Sequence, residues 1–264
     1  MFRLLLLPVF CLILTFTAFG QNANFTAQEL SGTYSIAYGF GSENITLKED
    51  GTYSALSTSD NCEVSSADSR ECLNFPREDG IFLILGNVVK FNPVNFKVYE
   101  RGELITKLPP DYEYVAIKWS ERFYLIKKDS LKEFAEAVNL KLEPRKNTFA
   151  GRGSEFLLRR EGSDKPVSGL PDLPDGLNDL LLENPVEAKI LKIENRRGGV
   201  KVAVIDKGSS DGLKVGMKMV TVMFSSKNEI ISVTKSSAVI KLEDNLKKGS
   251  VVRSFYDPNL WFIE

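Results

Sequence analysis

Histidine is absent from the 264-residue chain, and its absence narrows the chemistry that the side chains can perform. Ser-His-Asp and Cys-His nucleophiles, imidazole zinc sites and histidine general bases are all excluded. Paired carboxylates, a Ser-Lys dyad or a metal site with oxygen ligands remain available. Each of these needs residues that converge in space, and no spacing in the chain identifies such a set. We therefore predict no catalytic and no metal-binding residues.

Two acidic residues, Glu133 and Glu136, come nearest to a catalytic carboxylate pair. They fall on the polar face of a predicted amphipathic helix, where carboxylates are usually solvated. No EF-hand loop, P-loop or dinucleotide-binding fingerprint occurs in the chain, because the glycine spacings GSSDG and GLKVG fit none of these motifs. The sequence therefore predicts no cofactor and favours a protein that is not an enzyme.

Cys62 and Cys72 are candidates to form a covalent bond with each other. They lie about ten residues apart in a polar segment, and this spacing is too wide for a redox-active CxxC pair. Thiols tend to pair in an oxidising compartment. We predict one disulfide that closes a local loop and contributes about 2–3 kcal/mol to stability.

Residues 1–20 have the features of a secretory signal peptide. Arg3 supplies the basic start, Leu4 to Phe19 form an apolar run, and small residues precede Gln21. The run is shorter than a typical membrane-spanning helix and contains a proline. We therefore expect cleavage before Gln21, which leaves a periplasmic or extracellular protein with no stable membrane span.

Charge is nearly balanced, with 34 basic and 35 acidic residues. Basic pairs such as Arg159-Arg160 and Lys247-Lys248 are scattered, and aromatic residues that stack on bases are not interleaved with them. Nucleic acid is therefore not expected as a partner. The length suits two domains, each large enough to bury a hydrophobic core.

Residues 25–161 have the pattern of a β-rich first domain built from successive hairpins. The clearest hairpin joins Asn44–Lys48 to Thr52–Leu56 through Asp50-Gly51. Serial hairpins typically curl into a barrel or a sandwich. The start Gly32-Thr33-Tyr34 and this hairpin resemble those of calycin-like or lipocalin-like secreted domains, which implies a cavity for a small hydrophobic ligand. The residues themselves favour a core filled by the domain's own aromatic side chains, because small barrels are usually packed by their own side chains.

One amphipathic helix is predicted in this first domain. Ser130 and Glu133 have the spacing of a capping box at its start, and Leu131, Phe134 and Val138 form its apolar side. We expect the helix to pack across the sheet or to close one end of it. The segment Trp119–Ile126, with the helix that follows it, resembles a pattern in uncharacterised bacterial exported proteins, which carries no assigned activity.

Residues 162–185 are predicted to be a linker, because proline and glycine recur through them. Residues 186–264 follow as a second domain, in which six short strands and tight turns suit a small β-barrel. The fold predicted for the whole chain is mainly β, with two small antiparallel barrel or sandwich domains, the first of which carries one packed helix. The aromatic tail from Tyr256 to Glu264 is expected to pack against the second barrel, and the alternative is an apolar patch for a partner.

A glycine-rich turn is the clearest motif of the second domain. It follows the alternating strand Val200–Ile205 and consists of Gly208, Ser209, Ser210, Asp211, Gly212 and Leu213. Over Val204–Met217, Ile230–Val233 and Ala238–Leu242, the sequence resembles the small β-barrels of the bacterial rod-shape scaffold MreC and of some flagellar assembly proteins. The turn is also similar to the loop of exported PDZ domains, where a peptide adds to a sheet edge. Both resemblances imply a binding module, so residues 208–213 are a candidate interaction turn for an envelope protein or peptide.

These features predict an exported, non-catalytic protein that contributes binding or assembly in the bacterial cell envelope. A lipocalin-like carrier of a small hydrophobic ligand is the first alternative, and a carboxylate-based hydrolase is the second. An apolar cavity would favour the carrier, and two carboxyl groups about 5 to 9 Å apart in a cleft would favour the hydrolase. A filled barrel beside an exposed apolar surface would favour the binding module.

Overall fold

The chain forms two closed antiparallel β-barrels, so the predicted fold class is confirmed. The structure is a computed structural model that describes residues 24–38, 41–59, 75–100, 103–140, 156–174, 176–221, 227–243 and 245–255. Cys62 and Cys72 lie outside the described residues, and the disulfide between them stays a prediction. The predicted signal peptide and the aromatic tail also lie outside them.

Nine strands of the described chain belong to the first barrel. They are β1 (Gly32–Tyr38), β2 (Gly41–Leu47), β3 (Thr52–Ser59), β4 (Arg77–Leu85), β5 (Val88–Glu100), β6 (Glu103–Ile105), β7 (Tyr112–Trp119), β8 (Arg122–Ile126) and β9 (Phe156–Arg159). Eight of them pair in the order β4-β3-β2-β1-β9-β8-β7-β5, and pairing between β4 and β5 closes the ring. β6 pairs with the second half of β5.

The hairpin between β2 and β3 forms where Asp50-Gly51 predicts it. Gly51 has a φ of +82°, a conformation that glycine adopts without steric cost. The Asp50 carboxylate accepts hydrogen bonds from the Thr52 backbone N–H (2.9 Å) and hydroxyl (2.6 Å). The resulting register pairs Leu47 with Tyr53, and both side chains are buried in the barrel.

The interior of the first barrel is filled by its own side chains. Phe91 lies in an aromatic cluster, with ring centroids 4.8 Å from Tyr53 and 5.0 Å from Tyr112. The buried residues of this core are Leu30, Tyr34, Ile36, Ile45, Leu47, Tyr53, Phe82, Val89, Phe91, Tyr114, Ala116, Phe123, Leu125 and Leu157. Side chains of this size fill a small barrel, as the favoured interpretation of the sequence expects.

A single helical turn, α1 (Ala27–Leu30), packs against this core ahead of β1. It begins with a capping box that the sequence analysis did not identify. The Thr26 hydroxyl accepts from the Glu29 N–H (3.2 Å), and the Glu29 carboxylate accepts from the Thr26 N–H (2.9 Å). At its end Leu30 is fully buried, and its carbonyl accepts the Tyr34 hydroxyl at 2.9 Å.

The predicted amphipathic helix is α2 (Leu131–Asn139), and it packs on the outer face of β7, β8 and β9. The Phe134 ring lies edge-on to the rings of Tyr124 (5.1 Å) and Phe156 (5.3 Å). The predicted capping box at Ser130 is wrong. Ser130 belongs to a preceding 3₁₀ turn and has helical backbone angles, whereas an N-cap residue is extended, and its side chain makes no capping hydrogen bond.

The segment predicted as a linker packs along α2. Leu173 is buried against the helix, and Leu177–Leu180 forms a short 3₁₀ turn. The Asn139 side chain donates to the Leu180 carbonyl (2.6 Å) and accepts from the Leu182 N–H (2.9 Å). The boundaries predicted for the domains and linker stay a prediction, because these contacts do not define them.

Six described strands close the second barrel in the order β10-β11-β14-β13-β12-β15. They are β10 (Glu187–Asn195), β11 (Lys201–Ile205), β12 (Lys218–Val220), β13 (Lys227–Val233), β14 (Ala238–Lys241) and β15 (Val251–Arg253). Aliphatic side chains fill this barrel too, and Leu182 from the preceding segment is part of that core. Among the described residues, no helix has the length and apolar character needed to cross a membrane.

Candidate functional site

The predicted interaction turn, residues 208–213, connects β11 to β12 and is largely built into the second barrel. Leu213 is fully buried in the barrel core. Gly208 lies against the 234–237 turn so closely that an added Cβ would be 2.5 Å from the Ser237 nitrogen and 2.8 Å from the Lys235 oxygen. Glycine is therefore required at this position for packing.

Hydrogen bonds fix the rest of the turn. The Asp211 carboxylate accepts from the Gly208 N–H (3.0 Å) and from the Lys207 ammonium (3.0 Å). These two contacts, the backbone contact first, hold the pKa of Asp211 below its ordinary value of 3.8. Ser209 and Ser210 remain exposed, so they are the side chains that a partner of this turn would meet.

The turn also forms one wall of a cleft of about 580 Å³, whose other wall is residues 181–187. The turn side is lined by Lys207, Ser210, Asp211, Gly212 and Lys214. Lys207 is bonded to Asp211, and Lys214 to Asp179 at 3.0 Å. Because both ammonium groups already have carboxylate partners, the cleft does not point to one ligand, and the role of the turn in binding stays a prediction.

An exposed apolar surface lies elsewhere, on the outer face of β4. Ile81, Leu83 and Leu85 alternate along the strand and are 47%, 52% and 63% exposed. We call these three residues the apolar stripe. Scattered apolar residues are normal on protein surfaces, whereas a contiguous apolar patch with a polar rim usually marks an interaction site.

The pairing of β4 explains why the stripe is uncovered. On one side, β3 begins at Thr52, which pairs with Ile81. Leu83 and Leu85 therefore have no β3 residue beside them. On the other side, Leu85 pairs with Val88, which pairs with Val115. Val115 is buried in the apolar cluster beneath α2. The outer apolar face that α2 covers therefore extends from Val115 through Val88 to Leu85, where it joins the stripe.

The stripe has an acidic rim, which consists of Glu49, Asp50, Asp79, Asp111 and Glu113. Asp79 precedes Ile81 on the same face of β4, and the Gly51 carbonyl of the turn that carries Glu49 and Asp50 accepts the Phe82 N–H at 2.8 Å. Lys90 on β5 pairs with Leu83 of the stripe, and Glu113 on β7 pairs with Lys90 on its other side.

The acidic residues of the rim outnumber the basic ones. Lys48 and Lys90 are the neighbouring lysines, and Lys90 is paired with Asp111 at 3.2 Å. Hydrogen bonds from Asn92 and then Lys90 lower the pKa of Asp111, and bonds from Thr52 lower that of Asp50. Both carboxyls are therefore ionised at neutral and mildly acidic pH. These five carboxylates and two lysines together carry a net charge of about minus three at neutral pH, and Arg77 and Lys97 lie further along β4, beyond Asp79.

Inside the first barrel lies a buried carboxylate, Glu78, which is only 9% exposed. Its Oε1 accepts hydrogen bonds from the hydroxyls of Tyr53 and Tyr112, the latter at 2.7 Å. Burial first, and then the contact with Glu78, raises the pKa of both tyrosines above the ordinary 10.0. Both hydroxyls therefore stay protonated and donate to the carboxylate, as a buried polar group requires.

Gly80 makes this arrangement possible. It pairs with Tyr53 across the β3–β4 ladder, next to a register shift between Asp79 and Gly80. A Cβ at this position would lie 2.6 Å from Cε1 of the Tyr53 ring and would also meet the backbone oxygen of Asn92. The missing side chain lets the Tyr53 ring lie over the strand and reach Glu78.

The described part of the chain contains no group of three or more Cys, Asp or Glu residues placed to hold a metal ion. Of the two carboxylates considered from the sequence, Glu133 is exposed and Glu136 is half-buried, both on α2. Glu78, Glu133 and Glu136 do not line the cleft beside the 208–213 turn.

Sequence reasoning missed both the apolar stripe and Glu78. A signal for the stripe exists, because Ile81–Leu85 is apolar at every position, whereas a strand with one solvated face needs alternation. Glu78 gives no such signal. Its inward direction depends on the register of β4, which the sequence does not specify.

Compared with known proteins, the chain matches no protein-family model, no curated protein and no solved structure. Its function is therefore inferred from its own residues and geometry.

Proposed function

We propose that this is an exported, non-catalytic protein of the bacterial cell envelope that binds or helps to assemble another envelope component. The observation that carries this proposal is the apolar stripe, Ile81, Leu83 and Leu85, exposed on a barrel whose interior is already filled. Exposed leucines on a closed, packed barrel do not serve its own core. They are suited to contact with another molecule.

Export is supported by the signal-peptide pattern of residues 1–20. A folded binding module in the envelope would meet its partners outside the cytoplasm. The resemblance of residues 204–217, 230–233 and 238–242 to the small barrels of the MreC and flagellar assembly families supports an assembly role.

The filled interior of the first barrel argues against the carrier alternative. A ligand pocket usually has a volume of about 300–1,000 Å³ and an apolar lining. The inward positions here hold large side chains in mutual contact, among them Tyr53, Phe91 and Tyr114. A small hydrophobic ligand would have to displace them, so a partner on the outer face is favoured.

The size of the stripe suits a modest contact. Full burial of a leucine or isoleucine side chain contributes about 1.5–3 kcal/mol, so covering the exposed half of three would contribute on the order of 2–4 kcal/mol. This is too little for a permanent association on its own. The rim must add to it, or the partner must extend beyond the stripe.

Crosslinking inside the cell tests the proposal. A photoreactive amino acid would replace Leu83 in the full chain, and a control would carry it at Leu191, a leucine 47% exposed on β10 of the second barrel. We expect a discrete adduct in the envelope fraction for position 83 and none for position 191. Equal adducts at both positions, or a protein retained in the cytoplasm, would contradict the proposal.

A further inference from the structure

The charges around the apolar stripe restrict what it binds. Three apolar side chains face outward, Asp79 is exposed on the same face of β4, and the exposed Glu49 and Asp50 belong to the turn whose Gly51 carbonyl accepts the Phe82 N–H. Lys90 lies directly across from Leu83 and forms a salt bridge with Asp111, which balances its charge. Glu113, the β7 neighbour of Lys90, adds a further negative charge. An apolar centre with an anionic rim is complementary to an apolar centre with a cationic rim.

We propose that the partner held by the stripe is a cationic amphipathic segment of another polypeptide. Its apolar side chains would lie over Ile81, Leu83 and Leu85, and its lysines or arginines would face the acidic rim. This inference rests on the proposed function, because it names the class of partner for the same surface.

The same charges disfavour the other occupants. A second copy of the chain, docked through the same surface, would bring two acidic rims together, and like charges in contact are repulsive. An anionic lipid surface would be repelled in the same way, because membrane attraction needs basic residues near the apolar ones. The basic residues Arg77 and Lys97 pair with each other at the opposite end of β4. Asp79 lies between them and the stripe, so they are not part of its rim.

Binding of defined peptides to the purified mature protein tests this inference. The probe is a short amphipathic peptide of leucine and lysine. The matched probes replace its lysines by glutamate or its leucines by glycine. We expect measurable binding of the leucine–lysine peptide only, and binding that weakens as salt is added, because screening acts on exposed charges.

Two variants separate the apolar and the charged contributions. Leu83→Ser should weaken binding of the leucine–lysine peptide by about tenfold, the loss expected for one buried leucine contact. Asp79→Asn should weaken it by about two- to fivefold, as expected for one exposed charge pair, and should reduce its salt dependence. Thr46→Ser, on the outer face of β2, is the control and should bind as the wild type does. Circular dichroism and unfolding midpoints of all three variants check that the barrel is intact.

The outcomes distinguish this inference from the proposed function. Equal binding of the leucine–glutamate peptide, concentration-dependent dimerisation lost in Leu83→Ser, or stronger binding to phosphatidylglycerol vesicles than to the peptide would overturn the cationic-segment inference. Such results would still leave a binding surface at the stripe. If no probe binds, the inference also fails, and crosslinking at position 83 then decides the proposed function independently.

Discussion

Gly80 shows how one residue without a side chain organises the interior of the first barrel. The Tyr53 ring occupies the space above it and places its hydroxyl on the buried Glu78 carboxylate. Tyr53 lies in the predicted hairpin strand Thr52–Leu56 and is buried. The cluster it joins is not predicted, because the partners come from β4 and β7, and only the folded register brings Glu78 and Tyr112 together.

We expect Gly80→Ala to lower the free energy of unfolding by about 1–3 kcal/mol, the range for overpacking in a core. The new methyl group would collide with the Tyr53 ring and with the Asn92 backbone, so the strands must shift. Urea unfolding followed by tyrosine fluorescence measures the change. Ser54→Ala, on the outer face of β3, is the control and should stay within about 0.5 kcal/mol of the wild type. An equally stable Gly80→Ala protein would contradict the packing described for Tyr53.

Asp211 gives a prediction about pH. Its pKa in the folded protein lies below the ordinary value of 3.8, so its ionised form stabilises the turn above that value, and this contribution is lost as the pH falls through the folded pKa. Asp211→Asn keeps an oxygen acceptor for the Gly208 N–H but loses the charge. We expect its unfolding free energy to be slightly lower at neutral pH and to fall less between about pH 5 and pH 2 than that of the wild type. Parallel curves for the two proteins would show that Asp211 does not contribute to the acid sensitivity.

At the scale of elements, the hairpins and α2 are predictable because their signals are local. Asp50-Gly51 specifies its turn through the conformations these residues tolerate, and the apolar side of α2 follows from its helical spacing. The contacts of residues 162–185 are not predictable in this way. Proline and glycine show only that the segment makes no regular helix or ladder, while its leucines contact α2 through tertiary packing.

Asn139 is the residue that joins this segment to α2, through one hydrogen bond to Leu180 and one to Leu182. We expect Asn139→Ala to cost about 1–3 kcal/mol, because two partly buried backbone groups lose their partner. Limited proteolysis should also cleave near residues 176–182 faster in the variant. Glu133→Gln, exposed on the same helix, serves as control. Unchanged proteolysis in Asn139→Ala would indicate that the leucines alone hold the segment.

At the scale of the whole molecule, export and disulfide formation are predictions that depend on each other. We expect the mature protein to begin at Gln21 and to have a mass lower by two hydrogen atoms than its reduced form, because oxidising compartments allow Cys62 and Cys72 to pair. Intact-mass analysis with and without a reductant measures both features. A Cys62→Ser, Cys72→Ser variant should show no shift on reduction. A chain that keeps Met1 and in which Cys62 and Cys72 are both free thiols would contradict export.

The proposed function requires that the apolar stripe is a surface for another molecule and not a part of the fold. The most direct measurement is the native mass of the protein in mild extracts of the envelope, compared between wild type and Leu83→Ser, together with the unfolding midpoint of each. We predict that the wild type migrates in a complex larger than the monomer, and that Leu83→Ser migrates as a monomer with an unchanged midpoint, because substitutions at exposed positions cost little stability. The same native mass for both proteins, or a variant that unfolds, would contradict the account.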